Sequence, residues 1–404
     1  MFLEGVRVSI LRGARILLGI TGGVAAYKAV DLASKLVQQG AQVDAALTDS
    51  ARAFVGPASL NAITRRPVHG SVLESWTADY AGHLTLGEES DLIIIAPATA
   101  NALANLAHGL APDMLFSAIL ASQAPVLVAP AMEDAMYRHP ATQQNLEILR
   151  NRGVWLVGPE SGRLASGELG IGRMSEPATI VGAARMVLGR DGVLAGKRIV
   201  ITAGGTREAL DPVRYLGNRS SGLMGYAVAQ AAIDAGANVR LISGPTSLQT
   251  PYGVVGIDVQ TAVEMRDAVT EAVKGAQAIV MSAAVADYRP KDVRSEKMKK
   301  SELGSTLSLE LVTNPDIIAG VDEPGLLKIG FAAETSKLVE HARKKLSTKG
   351  LDLVVANNAE QAIGSRDNQV ILVWPDGTVE EFPLLPKDDV AAMLVDRIGT
   401  ILGD

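Results

Sequence analysis

Two segments with the same order of elements, one in each half of the chain, restrict the possible fold more than any other feature of this sequence. An apolar run at 15–20 ends in two glycines, and a stretch of helical composition follows at 25–39. A second apolar run at 197–203 also ends in two glycines, and a helical stretch follows at 223–235. A strand, a tight turn and a helix in this order begin a βαβ unit, whose strands lie parallel in one sheet. The sequence therefore predicts an α/β fold that is built twice.

Further short apolar runs continue this alternation along both halves. They predict strands at 42–47, 91–96, 125–129, 154–157, 278–283, 327–332, 351–356 and 370–374. Turn-like composition near 189–192 divides the chain, so we expect domains at 1–190 and 191–404, each long enough to bury a core. A closing helix is expected at 387–401 and a mobile loop at 288–306. The predicted fold class is α/β with two doubly wound, Rossmann-like domains, in which ligands bind at the carboxyl ends of the strands.

The composition argues against several kinds of function. The net charge of −6 does not suit a nucleic-acid surface, which needs a basic face. With no cysteine there is no disulfide or thiolate metal site, and the five histidines show no paired metal spacing. The first residues lack a secretory signal, and prolines and polar residues interrupt the apolar stretch at 92–132. We expect a cytoplasmic protein that does not cross a membrane.

The second half carries the residues of a nucleotide site. Asp287 lies at the end of the apolar run at 283–288, and Lys297 and Lys300 follow it closely. A carboxylate beside lysines suits a polyphosphate that is chelated to a metal ion. Upstream, the segments 211–215 and 218–222 provide a second group of anion-binding residues. Read alone, a lysine run is usually a solvated loop, and an aspartate after a strand can simply begin a turn. Their occurrence together favours a ligation site for a nucleotide and a phosphorylated acid.

The first half carries a weaker signal. The turn at 21–26 places backbone N–H groups at the start of a helix, where they can hold a phosphate. It lacks the Gly-x-Gly-x-x-Gly spacing of a dinucleotide fingerprint, so a simple strand-to-helix turn is at least as good an explanation of this segment alone. Three further segments, 82–84, 96–101 and 129–137, are together hard to explain by packing.

At these residues the first half resembles the flavin-dependent cysteine decarboxylases, and the match continues through 164–174. The second half resembles phosphopantothenate–cysteine ligases at 211–215, 218–222, 283–288, 297–300, 314–316 and 331–335. Both halves in this order resemble the bifunctional enzymes of coenzyme A synthesis over nearly the whole chain. The resemblance implies a flavodoxin-like FMN domain, a CTP- and Mg²⁺-dependent ligase domain, and a homo-oligomer, which in this family is a dodecamer.

The resemblance also implies roles in the decarboxylase. FMN would accept a hydride from the carbon next to sulfur, which gives a thioaldehyde. The C=S bond of the thioaldehyde can then accept the electron pair that remains when CO₂ leaves. His83 would be the main catalytic residue and handle the thiol proton, while Arg173 and Met174 belong to the substrate clamp. The implied flavin contacts are Thr21, Gly22, Gly23, Thr48, Ser50, Thr99 and Asn101.

Two residues depart from the pattern of the decarboxylases. Glu133 stands where many relatives carry Asn, and its carboxylate would repel the substrate carboxylate unless one of them is protonated. Ser166 stands in the substrate clamp where many relatives carry Cys, and a hydroxyl is a much poorer acid than a thiol. We hypothesise that Glu133 supplies the proton that the clamp cysteine supplies elsewhere.

For the ligase, the resemblance implies that the carboxylate of 4′-phosphopantothenate attacks CTP, which releases pyrophosphate and leaves an acyl-cytidylate. The amine of cysteine then attacks this acyl-cytidylate. Lys297 and Lys300 would neutralise phosphate charge, Asp287 would bind Mg²⁺ or nucleotide, and Asn218 would position the acyl intermediate. Further residues for substrate and nucleotide are Arg214, Ser220, Ser221, Gly222, Asn314, Asp316 and Phe331.

Two other interpretations remain open at this point. The first half could bind FMN only as an oligomerisation or regulatory module, which would leave the ligase as the sole catalyst. A nicotinamide dehydrogenase is less favoured, because neither glycine turn has the dinucleotide spacing.

Overall fold

A computed structural model describes residues 9–71, 76–77, 80–299, 306–359 and 364–403. The chain divides into two compact units, Ile10–Gly189 and the part from Arg190 onward. Among the described residues, no helix combines the length and the apolar character that a membrane span requires.

The first unit alternates strands and helices. Its strands are β1 (Arg15–Ile20), β2 (Gln42–Leu47), β3 (Val68–His69), β4 (Trp76–Thr77), β5 (Tyr80–Ala81), β6 (Leu92–Ala98), β7 (Val126–Pro130), β8 (Trp155–Leu156), β9 (Glu160–Arg163) and β10 (Leu169–Arg173). Its helices are α1 (Tyr27–Gln38), α2 (Pro57–Thr64), α3 (Gly82–Glu88), α4 (Ala100–His108), α5 (Met114–Leu120), α6 (Asp134–Arg138), α7 (Pro140–Asn151) and α8 (Pro177–Gly189), with 3₁₀ turns at Val24–Ala26 and Asp49–Ala53.

Within the described part of this unit, the central sheet has six parallel strands in the order β3-β2-β1-β6-β7-β8. Strand β1 is buried from Ile16 to Ile20 and β6 along its whole length, as expected for strands covered on both faces. The chain runs outward from β1 in one direction and from β6 in the other. Their carboxyl ends therefore border the crevice where ligands bind in sheets of this kind.

The second unit follows the same plan with a longer sheet. Its strands are β11 (Arg198–Ala203), β12 (Arg207–Ala209), β13 (Tyr215–Gly217), β14 (Asn238–Ser243), β15 (Val255–Asp258), β16 (Ala278–Met281), β17 (Tyr288–Pro290), β18 (Leu311–Thr313), β19 (Leu327–Glu334), β20 (Leu353–Asn358), β21 (Asp367–Asn368), β22 (Val370–Val373), β23 (Val379–Glu381) and β24 (Leu385–Pro386). The described helices are α9 (Leu223–Asp234), α10 (Ala262–Ala272), α11 (Leu338–Lys349) and α12 (Lys387–Gly403).

The described sheet of the second unit runs β15-β14-β11-β16-β19-β20-β22-β23. The first six strands in this order, from β15 through β14, β11, β16 and β19 to β20, are parallel. Strands β22 and β23 are paired antiparallel at the other edge. Val200, Ile279 and Val354, from three of the parallel strands, are fully buried in one apolar core. From β11 the chain adds strands toward one edge of the sheet, and from β16 it adds them toward the other edge. The expected ligand crevice of this unit therefore lies at the carboxyl ends of β11 and β16.

The predicted fold class is confirmed. Each strand expected from the apolar runs is present, with ends that differ from the prediction by at most two residues. The hairpins β9–β10, β12–β13 and β17–β18 were not predicted. They are short and largely exposed, so no buried apolar run marks them in the sequence.

The segment 288–306, predicted as a loop, is more ordered at its start than expected. Its first residues form β17, which pairs with β18. Farther along, Met298 is buried and its backbone is hydrogen-bonded to an earlier part of the unit. Lys300 and the residues up to 305 lie outside the described residues.

Candidate functional sites

A cavity of about 650 Å³ opens at the carboxyl ends of β1, β6 and β7 in the first unit. This volume falls within the range of small-molecule and cofactor sites, roughly 300–1,000 Å³. Its lining combines backbone turns with a few polar side chains: Gly22, Gly23, Val24, Ala25, Tyr27, Lys28, Ser50, Thr99, Ala100, Asn101, Ala131, Met132, Glu133, Met136, Arg163, Leu164, Ala165, Gly172, Arg173 and Met174.

The glycine turn is part of the cavity wall, and a side chain would clash at the first of its two glycines but not at the second. A Cβ on Gly22 would lie 2.4 Å from Oγ of Ser50, whereas a Cβ on Gly23 would meet only a methyl group of Thr99 at 3.4 Å. Thr99 caps α4, since its hydroxyl accepts a hydrogen bond from the N–H of Ala102 at 3.3 Å. The turn and the start of α4 both line the cavity, and the first turn of a helix is a favourable place for a phosphate or another anion.

Two predicted flavin contacts lie behind this wall. Thr21 is buried and donates to the carbonyl of Pro97 at 2.8 Å, while its hydroxyl accepts from the N–H of Thr99 at 3.2 Å. Thr48 caps the 3₁₀ turn that carries Ser50, and the two hydroxyls are 3.2 Å apart. Neither Thr21 nor Thr48 lines the cavity, so we interpret them as residues that support Thr99 and Ser50.

The hairpin β9–β10 closes one side of the cavity and is tied to the segment after β7. The carboxylate of Glu133 accepts from the N–H of Ser166 at 3.1 Å and from its hydroxyl at 2.9 Å. Asp134 accepts from the N–H of Ile171 at 2.8 Å. Gly172 has φ +148°, and a Cβ there would lie 2.0 Å from the carbonyl oxygen of Met132. The two departures from the decarboxylase pattern are therefore direct hydrogen-bond partners.

A buried lysine was not predicted from the sequence. Lys28 in α1 lines the cavity, and its ammonium donates to Glu176 at 2.9 Å and to the carbonyl of Met174 at 3.4 Å. Glu176 also accepts from Arg173 at 2.5 Å. The hydrogen bond from Lys28, followed by that from Arg173, lowers the pKa of Glu176. This network places two cationic groups beside the clamp.

His83 has a different position from the other predicted decarboxylase residues. It lies in the first turn of α3, a helix that packs against α5, and it is not among the described residues that line the cavity. Among the predicted decarboxylase residues, the cavity of a single chain is lined by Gly22, Gly23, Ser50, Thr99, Asn101, Glu133, Arg173 and Met174, but not by Thr21, Thr48, Ser166 or His83.

In the second unit, three separate segments meet at the chain that follows β16. The side-chain amide of Asn218 donates to the carbonyl of Val285 at 3.0 Å, and that of Asn314 donates to the carbonyl of Ala286 at 2.8 Å. The N–H of Ala286 donates to the buried hydroxyl of Thr206 at 2.9 Å. The backbone that leads to Asp287 is thus fixed from three sides, and the Asp287 side chain itself is exposed.

Beside Asp287 lies a lysine pair in α11 that was not predicted. Lys345 donates to the carbonyl of Phe331 at 2.5 Å, and Lys349 pairs with Asp316 at 3.1 Å. Burial, and next the ammonium of Lys349, lower the pKa of Lys345 below its ordinary value. Three carboxylates oppose this shift: Glu334, Asp316 and Asp287. The predicted Asp316 and Phe331 are therefore brought to the same place as Asp287.

The remaining ligase candidates lie around the start of α9 and in the lysine segment. Gly222, with φ +76°, precedes α9, and the hydroxyls of Ser220 and Ser221 accept from the N–H groups of Gly222 and Leu223 at 3.3 and 3.5 Å. Arg214 donates to the carbonyl of Met298 at 2.8 Å, and the neighbouring Lys297 is exposed.

The comparisons with known proteins agree with this division into two sites. A flavoprotein family model matches residues 8–189, and the model of the DNA/pantothenate metabolism flavoprotein C-terminal domain matches residues 194–402. The coenzyme A biosynthesis bifunctional protein CoaBC of Vibrio cholerae is 45% identical over 96% of this chain and 98% of its own length. Its counterpart in Escherichia coli K12 is 46% identical over 96% of this chain and 98% of its own length.

A solved structure, the C-terminal domain of a coenzyme A biosynthesis bifunctional protein CoaBC, is 41% identical and covers 53% of this chain and 99% of its own, with a TM-score of 0.46. The two family models and the full-length relatives together account for both compact units. The chain therefore belongs to the coenzyme A biosynthesis bifunctional proteins, in which a phosphopantothenoylcysteine decarboxylase and a phosphopantothenate–cysteine ligase share one polypeptide.

Proposed function

We propose that the second unit joins 4′-phosphopantothenate to cysteine at the expense of CTP and Mg²⁺, and that the first unit decarboxylates the product to 4′-phosphopantetheine with FMN. The observation that carries the proposal is the placement of two chemically different sites at the carboxyl ends of two separate sheets. A homo-oligomer acting in the cytoplasm, with a dodecamer as its size, is part of the same proposal. The alternative of a purely regulatory first unit is not favoured by full-length relatives that are bifunctional.

The cavity of the first unit fits FMN in size and in the character of its wall. Gly22, Gly23 and the capped start of α4 would hold the flavin, supported by Ser50 and Asn101. When bound, the flavin accepts and returns the electrons that make loss of the carboxylate possible. Arg173 and Lys28 face the same space, so they would hold an anionic substrate.

We assign to His83 the proton of the substrate thiol. Because His83 does not line the cavity of its own chain, the assignment needs a second copy of the protein to complete each site. This can be tested with mixed oligomers of a His83→Asn chain and an Arg173→Gln chain, whose cavity lacks a cation that would hold the substrate. Each variant alone would be inactive in decarboxylation, and co-assembly would restore part of the activity. Mixed oligomers that stay inactive would contradict the assignment.

For ligation, Asp287 would hold Mg²⁺ together with nucleotide phosphates, since Mg²⁺ in such sites is commonly bound by one or two carboxylates and substrate oxygens. Lys297 and Lys345 would neutralise the phosphates, and Asn218 would act on the acyl intermediate next to the backbone that it fixes. The N–H groups at the start of α9, with Ser220 and Ser221, suit the phosphate of the acid substrate.

The choice of nucleotide is tested by pyrophosphate release. Purified protein is incubated with 4′-phosphopantothenate and Mg²⁺ and with either CTP or ATP, with and without cysteine. We expect pyrophosphate with CTP, and a ligated product only when cysteine is added. Equal release with ATP would contradict the proposed nucleotide preference, and release without dependence on the acid would contradict acyl activation.

A further inference from the structure

The carboxylate of Asp211 is fully buried and connects two segments that are far apart in the sequence. Its Oδ1 accepts from the N–H groups of Val213 and Arg214 at 2.7 and 2.8 Å. Its Oδ2 accepts from the N–H of Met298 at 3.1 Å and from the guanidinium of Arg214 at 3.0 Å. Four donors therefore converge on a side chain with no exposed surface.

This arrangement keeps Asp211 ionised. Burial by itself would raise the pKa of this carboxyl, but the N–H donors of Met298, Val213 and Arg214, together with the charge of Arg214, lower it to about 2. A buried carboxylate is tolerated when donors surround it, and removal of those donors leaves an uncompensated charge. The contact with Met298 is consequently part of what makes the buried charge acceptable.

The contact fixes the lysine segment at one residue. Met298 is 3% exposed, whereas Lys297 and Lys299 on either side are exposed. Asp211 accepts from the N–H of Met298, and Arg214 donates to its carbonyl oxygen at 2.8 Å. Both backbone groups of Met298 are thereby held, so the directions in which the two lysine side chains leave the backbone are restricted.

We propose that Asp211, acting with Arg214 through Met298, is a positioning residue that holds Lys297 at the phosphates of the nucleotide. The proposal rests on the proposed ligase function of this site. Asp211 itself is buried and touches no substrate, and its effect reaches the reaction through the lysine segment. Displacement of a catalytic group by about 1 Å can reduce a rate about 10²-fold.

A structural role limited to the turn at 211–214 is the competing explanation, because the two bonds to Oδ1 alone stabilise such a turn. The two explanations differ in what happens when Lys297 is already absent. A residue that acts through Lys297 has no further effect on nucleotide chemistry in a Lys297→Gln background. A residue that acts on the turn alone has the same effect in both backgrounds.

The test is a double-mutant cycle of Asp211→Asn and Lys297→Gln, with pyrophosphate release and the KM for CTP as readouts. We expect Asp211→Asn to lower release about 10²-fold, and the double variant to be no slower than Lys297→Gln alone. Effects that multiply would overturn the proposal. Normal activity of Lys297→Gln would instead contradict the proposed function of the site, so the two failures are distinguishable.

Trypsin cleavage at Lys297 and Lys299 supplies a readout that does not depend on catalysis. Cleavage of the wild-type holoenzyme should be slow and slowed further by CTP, while Asp211→Asn should be cut quickly with or without CTP. Asp292→Asn, an exposed aspartate of the same segment, is the matched control and should behave as wild type. Unchanged cleavage of Asp211→Asn would overturn the proposal.

A second variant covers the case in which Asp211→Asn does not fold. Arg214→Gln keeps the carboxylate of Asp211 but removes the guanidinium that holds the carbonyl oxygen of Met298, one of the two contacts that fix the lysine segment. We expect the same direction of change in cleavage and in pyrophosphate release, with unchanged decarboxylation by the first unit. An Arg214→Gln protein with wild-type cleavage and release would overturn the proposal.

Discussion

The two units of this chain share a sheet plan but present their candidate site residues in different ways. In the first unit, turns after β1, β6 and β7 and the hairpin β9–β10 surround a cavity of about 650 Å³. In the second, Asp287 and Lys297 project from loops as exposed side chains, and hydrogen bonds between other side chains and the loop backbone fix these loops. One fold thus offers a cavity in the first unit and an open site of loop residues in the second.

The difference fits the ligands that we propose for each site. A flavin needs a wall shaped to its surface, and the glycines at 22 and 172 allow neighbouring segments to approach closely enough to form one. A triphosphate with Mg²⁺ carries a large charge that needs cations and a carboxylate in defined positions. We therefore expect changes in shape to damage the first site and changes in charge to damage the second.

The largest effect is expected from the removal of charge at the open site. Lys297→Gln should lower CTP-dependent pyrophosphate release on the order of 10²–10³-fold, because a cation aimed at the developing phosphate charge is lost. CO₂ release from added phosphopantothenoylcysteine should not change. Lys291→Gln is the matched control, since Lys291 is an exposed lysine of the same segment that pairs with Glu310. Near-normal release by Lys297→Gln would remove this lysine from the mechanism.

The next effect concerns the pair Glu133 and Ser166 beside the cavity of the first unit. Glu133→Gln keeps an acceptor for Ser166 but cannot supply a proton, so the saturated product should fall on the order of 10²-fold relative to CO₂. Both products are quantified by mass in the same reaction. Glu168→Gln, an exposed carboxylate on the same hairpin, is the control. An unaltered yield of saturated product would reject Glu133 as the proton donor.

A smaller effect is expected from a change of shape at the cavity wall. Gly22→Ala places a Cβ 2.4 Å from Oγ of Ser50 and should weaken FMN binding about tenfold, or about 1.4 kcal/mol. Gly23→Ala is the matched control, because its Cβ meets only a methyl group at 3.4 Å and its backbone is extended. Flavin fluorescence during titration measures both affinities. Equal affinities for the two variants would show that the turn does not form the flavin wall.

The smallest effect is a difference in pH dependence. Burial lowers the pKa of His69 in the first unit, so its folded form disfavours the imidazolium. The unfolded chain takes up the proton first, and stability is lost as the pH falls below about 6.5, the ordinary value. Between pH 8 and pH 5, the Tm of the flavin-bound protein should therefore fall less in His69→Gln than in wild type. The difference should be about 2–4 °C for each kcal/mol by which protonation of His69 lowers the free energy of unfolding of wild type.

Asp211 provides the contrasting behaviour in the second unit. Its pKa of about 2 means that its stabilising contribution is complete above its ordinary value of 3.8 and is lost only as the pH falls toward 2. The difference in stability between Asp211→Asn and wild type should therefore stay constant from pH 5 to pH 8. A His69→Gln protein with the same pH profile as wild type would remove the proposed contrast between the units.

Much of the fold could be predicted from the sequence, because a parallel strand that is buried on both faces consists of consecutive apolar residues. Strand β1 is an example, since five of its six residues are buried and its end is marked by glycines. The glycine turn and Asp287 could be proposed as site residues for the same reason, because they follow strands whose ends were already located. The resemblance added the roles of residues that pattern alone left ambiguous.

Other features depend on contacts that no local pattern encodes. Lys28 lies in a helix where the residue pattern gives no sign that its ammonium is buried against Glu176. Glu133 and Ser166 are 33 residues apart, and Asp211 and Met298 are 87 apart. Each contact exists because the tertiary fold brings together two segments that are distant in sequence, so it could be recognised only from the structure.

The most direct test of the two-site account is one reaction with the purified, FMN-loaded protein. It contains 4′-phosphopantothenate, cysteine, CTP and Mg²⁺, and all products are identified by mass over time. The account predicts that phosphopantothenoylcysteine appears first and is then converted to 4′-phosphopantetheine with an equal amount of CO₂. Ligated product that accumulates without any decarboxylation would contradict it.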